Sequence, residues 1–162
     1  LSNDPLNDLA VLQADFKPTS IFPLSKKNSE VMQEIFVAGY PFGKKISSSV
    51  KITKGIISSL TGMGNNFSNI QIDAALQPGK SGAPVFDAKG NVVGVAVTKL
   101  DLKKVIGDWG VIPENSNFGI KANIVANLLE SNNVEVGSPN IKTVSRSELG
   151  KTVANATYYL SC

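Results

Sequence analysis

The sequence predicts an all-β domain of antiparallel strands, with helices only in its last third. Apolar or alternating runs of about four to eight residues recur along the chain, separated by Gly, Asn, Pro and Ser, and this spacing is typical of strands joined by hairpins. One helical pattern, residues 121–130, follows the strand-like runs. These two observations favour an antiparallel β domain with a helix packed against it.

The predicted strands follow one another at short intervals. In chain order they cover residues 9–12, 34–38, 48–54, 55–60, 69–72, 84–86 and 92–97. Residues 88–91 (AKGN) predict a hairpin turn between the last two runs, because Gly and Asn tolerate positive φ. The stretch 16–29 has no strand or helix pattern and contains two prolines, which suits a linker.

Two helices are predicted near the end of the chain. The first, residues 121–130, places four apolar side chains on one face: Ile124, Val125, Leu128 and Leu129. The second covers residues 147–159, with Ser145 or Ser147 as its cap. Its apolar side is formed by Leu149, Val153 and Ala156.

Composition excludes several classes of function. The net charge of the 162 residues is only +3 and the basic residues are scattered, so a nucleic-acid groove is not expected. The chain has one cysteine, Cys162, and no histidine, which leaves no internal disulfide and no Cys/His zinc spacing. It has no apolar run of about 18 residues, so no membrane span is expected in this chain. We expect no cofactor and no metal.

The segment best suited to chemistry is residues 78–86, PGKSGAPVF. Acyl transfer by a serine needs a hydroxyl on a sharp turn, a base with an orienting acid, and amide donors for the oxyanion. The glycines at 79 and 82 meet the first and third needs for Ser81, because they leave the backbone open to approach. A phosphate-binding loop is the weaker reading, since Ala74 stands where that loop has a glycine and no helical pattern follows Ser81.

The order of motifs around this turn resembles that of the chymotrypsin-like serine peptidases, and most closely their HtrA/Deg branch. Five blocks occur in the family's order, between residue 7 and about residue 129. They are residues 7–12 (NDLAVL), 38–43 (AGYPFG), 53–58 (TKGIIS), 72–75 with 79–85 (IDAA and GKSGAPV), and 117–120 (NFGI).

The resemblance implies a chymotrypsin-like β-barrel, the second barrel of such a peptidase, together with the end of the first barrel. Residues 1–29 are then the end of the N-terminal barrel and a linker. Residues 30–131 are the C-terminal trypsin-like barrel. Residues 132–162 form a C-terminal extension, a loop and then a helix.

The same resemblance implies roles for individual residues. Ser81 is the nucleophile, Asp8 is the acid that orients the base, and the N–H groups of Gly79 and Ser81 form the oxyanion hole. Ala75, six residues before Ser81, falls at the floor of the primary specificity pocket. No charge stands there, which implies substrates with small or medium apolar side chains at the cleavage site.

Residues 92–98 correspond to the part of the family that forms a wall of the pocket and pairs with the substrate. Within them, Val95, Ala96 and Val97 are the expected substrate-binding residues. Asp73, by contrast, is interpreted as a loop or strand-end carboxylate rather than a catalytic acid.

Three departures from the family pattern stand out. The family's base is a histidine upstream of the aspartate, but only seven residues precede Asp8, so we expect that histidine outside these residues and no triad catalysis by this chain alone. Lys80 replaces the usual Asp or Asn before the serine; an exposed surface lysine is favoured, and a cation near the oxyanion hole is the alternative. Ala83 replaces a glycine, which the turn can accept.

The sequence therefore predicts a serine endopeptidase that acts on polypeptides, in protein quality control or processing. The resemblance favours an extracytoplasmic location and leaves the oligomeric state open. A second hypothesis comes from Lys80 and the missing histidine: a pseudopeptidase that uses the same cleft as a peptide-binding or scaffold module.

Overall fold

A computed structural model describes residues 2–42, 48–97, 107, 110 and 116–160 of the chain. Within these ranges the strands are β1 (Ser2–Asp4), β2 (Leu9–Val11), β3 (Glu34–Gly39), β4 (Lys51–Ser59), β5 (Asn69–Ile72), β6 (Pro84–Phe86), β7 (Val92–Val97) and β8 (Asn117–Lys121). The helices are α1 (Ala122–Ser131) and α2 (Arg146–Ala156), and a short 3-10 turn covers Met63–Asn65.

Six of the strands close into an antiparallel barrel in the order β3-β4-β5-β8-β7-β6. The barrel closes where β3 pairs with β6, with Phe36 opposite Phe86 and Val37 opposite Val85. The predicted all-β barrel is therefore confirmed. The remaining strands, β1 and β2, form a separate two-stranded sheet.

The barrel is filled by branched aliphatic side chains, as alternation along its strands requires. The fully buried members of this core come from five strands and the segment after β5: Ile35, Val37, Ile57, Ile70, Ile72, Ala74, Val85, Val93 and Ala96. β3 is buried on both faces, because Phe36 and Ala38 on its outer face are covered as well.

The cover on the outer face of β3 is α2. Its Leu149 and Val153 are buried in a second apolar cluster with Phe36 and Phe86, which stack on each other. Ser145 caps this helix through a capping box: its hydroxyl accepts from the Glu148 N–H, and the Glu148 side chain accepts from the Ser145 N–H. The second predicted helix and its Ser145 cap are thus confirmed, although the helix ends at Ala156 and not at residue 159.

The first predicted helix is α1, which packs against β7 and β8. Its predicted apolar face is half-buried, and Ala122 is the buried residue of the helix. No helix among the described residues is long and apolar enough to cross a membrane.

Two local predictions can be compared with the strands. The hairpin between β6 and β7 forms at the predicted place, where the Asp87 carboxylate accepts from the N–H groups of Lys89 and Asn91. The runs 48–54 and 55–60 were expected as two strands, but they form one strand, β4, through Gly55. A Cβ at Gly55 would lie 2.4 Å from Asp73 Oδ1 and 2.6 Å from the Ala74 N, so glycine allows the segment after β5 to cross there.

Part of the predicted linker, residues 16–29, lies against the barrel without forming a regular strand. Leu24 is buried and makes an isolated bridge to Val92, and Phe22 stacks on Phe86. The linker thus covers part of the surface that a free barrel would expose.

Candidate active site

Ser81 lies where two tight turns meet. The Lys80 N–H donates to the Gln77 carbonyl at 3.1 Å, and the Ala83 N–H donates to the Lys80 carbonyl at 3.0 Å. The third residue of each turn has positive φ: Gly79 at +92° and Gly82 at +82°. This is the pattern of type II turns, in which the third position requires a glycine-like backbone. The two glycines of the motif are therefore needed by the turns that present Ser81.

The serine turn is hydrogen-bonded to neighbouring backbone on both sides. The Gly82 N–H donates to the Ala96 carbonyl and the Ala96 N–H donates to the Ala83 carbonyl, each at 2.8 Å. On the other side, the Phe42 N–H donates to the Pro78 carbonyl at 2.8 Å. Ser81 itself remains exposed. A rigid backbone thus holds a hydroxyl that solvent or a ligand can reach.

Two backbone donors beside Ser81 are available. Within the part of the chain that the structure describes, no hydrogen bond uses the N–H of Gly79 or the N–H of Ser81. Both residues are exposed. Unpaired amides next to a serine hydroxyl are the kind of donor that can stabilise a developing oxyanion.

Lys80 is buried, although the sequence favours an exposed position for it. Its side chain is fully buried, with 0% of its surface exposed, so the prediction of an exposed lysine is wrong. The Lys80 Nζ donates to the Thr53 Oγ1 at 3.2 Å, and burial lowers the pKa of this amine below its ordinary value. Lysine is rarely buried without a charged partner, which is why sequence reasoning placed it at the surface.

Thr53 connects Lys80 to the predicted floor of the specificity pocket. Its Oγ1 donates to the Ala75 carbonyl at 3.1 Å while it accepts from Lys80. Ala75 is exposed, and the carbonyl of the preceding Ala74 accepts from Asn117 Nδ2 at 2.9 Å. The sequence places Thr53 in the block 53–58 but assigns it no role, because a strand threonine by itself does not indicate what its hydroxyl contacts.

The predicted substrate-binding residues of β7 differ in how their backbones are used. Val95 lies between Pro84 of β6 and Ile120 of β8. The N–H and C=O of Ala96 are both bonded to the serine turn, as described above. Val97 pairs with Phe118 and is the last residue of β7. The strand therefore brings Ala96 directly to the serine turn, while Thr98, which was expected to extend the binding edge, is outside the described residues.

Asp8 lies in the turn between β1 and β2, outside the barrel. It is exposed and has a φ of +54°. The Asp4 carboxylate holds this turn by accepting from the N–H groups of Leu6 and Asn7 at 3.1 and 3.2 Å. A further hydrogen bond, from the Asn7 side chain, lowers the pKa of Asp4. β2 contacts α1, so the β1–β2 hairpin lies beside the helix that follows β8.

Asp73 has a structural partner. Its Oδ1 accepts from the Ile56 N–H at 2.7 Å, directly after the end of β5. This agrees with its interpretation as a strand-end carboxylate. Among the described residues, no group of three or more acidic, His or Cys side chains is arranged to hold a metal ion.

A cavity of about 580 Å³ adjoins the serine turn. Ser81, Gly79 and Val95 line it on one side, and residues 157–160, which follow α2, line it on another. Tyr40 connects the two sides, because its hydroxyl donates to the Thr157 carbonyl at 3.3 Å and its ring meets that of Tyr159 edge-on. The sequence offered no signal that the end of the chain would reach this surface.

A closed antiparallel barrel that presents an exposed serine between two glycine turns is the arrangement of a chymotrypsin-like serine peptidase. Residues 1–95 match the family model of the trypsin-like peptidase domain, and the chain belongs to that family. Its relatives place it in the HtrA branch, as the sequence motifs predicted.

Two relatives and one solved structure show how far the similarity extends. The chain is 33% identical over 160 residues to an uncharacterized protein, y4bJ, of Sinorhizobium fredii, covering 98% of this chain and 25% of that protein. It is 34% identical over 137 residues to the serine protease Do-like HtrA of Lactobacillus helveticus, covering 80% of this chain and 32% of that protein. It is also similar to the crystal structure of the serine endoprotease from Yersinia pestis, with a TM-score of 0.61 and 25% identity over 79% of this chain and 41% of that chain.

The chain thus spans about a quarter to a third of the length of the curated relatives it matches. Of these two relatives, the Lactobacillus helveticus protein is named as a serine protease.

Proposed function

We propose that Ser81 is the nucleophile of a trypsin-like serine endopeptidase. The observation that carries the proposal is the serine turn: an exposed hydroxyl on a fastened backbone, beside two N–H groups with no hydrogen bond among the described residues. Membership of the trypsin-like family supports the reaction type. The substrate is a polypeptide with a small or apolar side chain at the cleavage site, since Ala75 brings no charge to the pocket floor.

In this mechanism Ser81 Oγ attacks the peptide carbonyl and passes its proton to a histidine. The 162 residues contain no histidine, so the base comes from outside them. Asp8 orients that histidine, and the Gly79 and Ser81 amides bind the oxyanion of the tetrahedral intermediate. The histidine then protonates the leaving amine, and water releases the acyl group from Ser81 by the same steps in reverse.

The positions of β1 and β2 are consistent with this proposal. These strands pair with each other and lie outside the closed barrel. We propose that residues 1–29 are the end of a first barrel. This barrel places the histidine beside Asp8, and Ser81 lies in the cleft between the two barrels. We further propose that the whole protein acts in protein quality control or processing.

The test is active-site labelling of the full-length protein, including any sequence encoded before Leu1. A fluorophosphonate should modify Ser81, and peptide mapping should locate the adduct there. Ser81→Ala should abolish labelling, whereas Ser58→Ala, at an exposed serine of β4, should leave it unchanged. A folded wild-type protein that has an upstream histidine and yet remains unlabelled would contradict the proposal.

A second candidate is favoured by the absence of histidine from the chain. If the encoded sequence before Asp8 also lacks a histidine, the cleft belongs to a pseudopeptidase that binds peptides without cleaving them. In that case the protein should bind an unstructured polypeptide without hydrolysing it, and Ser81→Ala should not weaken the binding.

A further inference from the structure

Lys80 is a buried amine that the proposed mechanism does not use. A lysine ammonium carries three hydrogen-bond donors, and among the described residues its one acceptor is Thr53 Oγ1. The side chain is fully buried, and no acidic group forms an ion pair with it in that part of the chain. Burial of an amine with so few partners is unfavourable. Unfavourable burial of a polar group is expected chiefly at functional sites, and Lys80 is adjacent to Ser81 in the chain.

The contacts of Lys80 reach both ends of the segment 75–81. Its backbone closes the turn before Ser81 and the turn after it. Its amine donates to Thr53, whose hydroxyl holds the Ala75 carbonyl at the other end of the segment. The aliphatic stem passes close to Gly39, where an added Cβ would lie 3.2 Å from Lys80 Cγ. The buried Lys80 side chain therefore connects the serine turn to β4 and, through Thr53, to the predicted pocket floor.

The same geometry excludes a simpler role for this lysine. In a chain without histidine, a lysine beside the serine could act as the base. Ser81, however, is exposed, whereas Lys80 is fully buried and directs its amine to Thr53. Within the described residues no hydrogen bond joins Lys80 to Ser81. Among the described residues the amine is therefore bonded to Thr53 and not to the Ser81 hydroxyl.

We propose that Lys80 is a positioning residue: through the Thr53 hydroxyl, its amine fixes the Ala75 carbonyl and holds residues 75–81 in the conformation that presents Ser81 and the pocket floor. This proposal rests on the proposed roles of Ser81 and Ala75. It implies that Lys80 and Thr53 act as a unit, and that Lys80 is retained at a cost in stability.

The test uses four variants of the full-length protein and one control. Lys80→Met keeps the unbranched stem and removes the amine; Thr53→Val removes the hydroxyl at constant shape. The double variant tests whether the two act together, and Thr53→Ser restores a hydroxyl. Lys151→Met, at an exposed lysine of α2, is the matched control. The measurements are the rate of fluorophosphonate labelling at Ser81, kcat and KM on a peptide substrate, and unfolding by urea.

Lys80→Met and Thr53→Val should each slow labelling by about tenfold or more, because small displacements of a nucleophile have large effects on rate. The double variant should be no slower than either single variant. Thr53→Ser and Lys151→Met should behave as wild type, and Lys80→Met should be at least as stable as wild type. A purely structural lysine would instead lower stability and leave the labelling rate of the folded protein unchanged.

Two results would overturn the proposal while the function of Ser81 stands. One is a folded Lys80→Met variant that is labelled at the wild-type rate. The other is a double variant whose slowing is the product of the two single effects, since Lys80 would then act independently of Thr53. If wild-type protein with an upstream histidine is not labelled at Ser81, the proposed function fails and this inference fails with it.

Discussion

Lys80 and Ser81 are neighbours in the chain but lie in opposite environments. Lys80 is fully buried and bonded to Thr53, while Ser81 is exposed beside two unpaired amides in the described part of the chain. Adjacent side chains separate in this way because the backbone turns twice between Gln77 and Ala83. The turn glycines could be identified from the sequence; the direction of the lysine between them could not.

Replacing Lys80 by methionine should not destabilise the fold. Methionine retains the apolar stem and removes an amine that has no counter-ion among the described residues, and such replacements are often neutral or stabilising by about 1 kcal/mol or more. We expect urea unfolding of Lys80→Met to give a free energy equal to or above that of wild type. A loss of stability well beyond that of Lys151→Met would show that the amine stabilises the fold.

The stability of the protein should also depend on pH through Lys80. Burial lowers the pKa of this amine from its ordinary value of 10.5. Between the lowered pKa and 10.5 the unfolded chain binds more protons at this residue than the folded chain, so its contribution to the free energy of unfolding rises with pH. The advantage of Lys80→Met over wild type should therefore be largest at low pH and shrink as the pH approaches 10.5. Urea unfolding of both proteins at several pH values measures this difference, and a constant difference would contradict it.

Other residues show which assignments a sequence can support. The sequence predicts that Asp73 is a loop or strand-end carboxylate, and its bond to the Ile56 N–H agrees with that prediction. Thr53 lies in the block 53–58, but the sequence does not indicate that it links Lys80 to Ala75. The end of a strand can be recognised from the sequence around it, although the Ile56 partner of Asp73 lies in another strand. The partner of a buried lysine depends on which strand folds beside it.

At the scale of elements, α2 is the best example of a helix that its own sequence defines. Ser145 and Glu148 stand at the spacing of a capping box, and Leu149 and Val153 share the face that is buried. The apolar surface that receives them is formed by Phe36 and Phe86 from two different strands. Arg146 adds to this docking: it pairs with Glu34, and its guanidinium lies 4.6 Å from the centre of the Phe36 ring.

Removal of the helix cap should weaken this element measurably. Ser145→Ala deletes the hydroxyl that accepts from the Glu148 N–H at 3.2 Å and should lower the free energy of unfolding by about 1 kcal/mol. Ser147→Ala, at an exposed serine two residues further along the chain, is the matched control and should have little effect. Urea unfolding compares the two; equal losses would show that the cap is not the cause.

The strand β4 shows, by contrast, an element whose extent the sequence does not predict. β4 is one nine-residue strand, yet its sequence reads as two runs divided at Gly55. The glycine is there because Asp73 and Ala74 pass within a distance that a Cβ would block. Alternation locates a strand along the chain, but a close crossing by another segment is visible only in three dimensions.

At the scale of the whole molecule, the barrel unites parts of the chain that are far apart in sequence. The linker supplies Leu24, the serine turn is bonded to β7, and the residues after α2 line the cavity beside Ser81. The proposed active site, with its acid and its nucleophile on separate parts of the fold, also belongs to this scale. Asp8 lies on a hairpin outside the barrel that carries Ser81.

The 162 residues alone should react far more slowly than the full-length protein. They contain no histidine, and loss of a general base lowers rates by about 10²–10⁴-fold. We expect fluorophosphonate to label Ser81 in the isolated chain at a correspondingly reduced rate, with circular dichroism as the check that the chain is folded. Labelling of the folded, isolated chain as fast as the full-length protein would contradict a role for an external histidine.

The sequence by itself determined the fold class, the family and the serine turn. Alternating strands, a capped amphipathic helix and glycines at turn positions depend on backbone geometry over a few residues, so they can be recognised locally. Only the tertiary structure decided that Lys80 is buried against Thr53, that β3 is covered on both faces, and that the end of the chain reaches the cavity at Ser81. These features depend on which distant segments meet when the barrel closes, and no local pattern in the sequence records that.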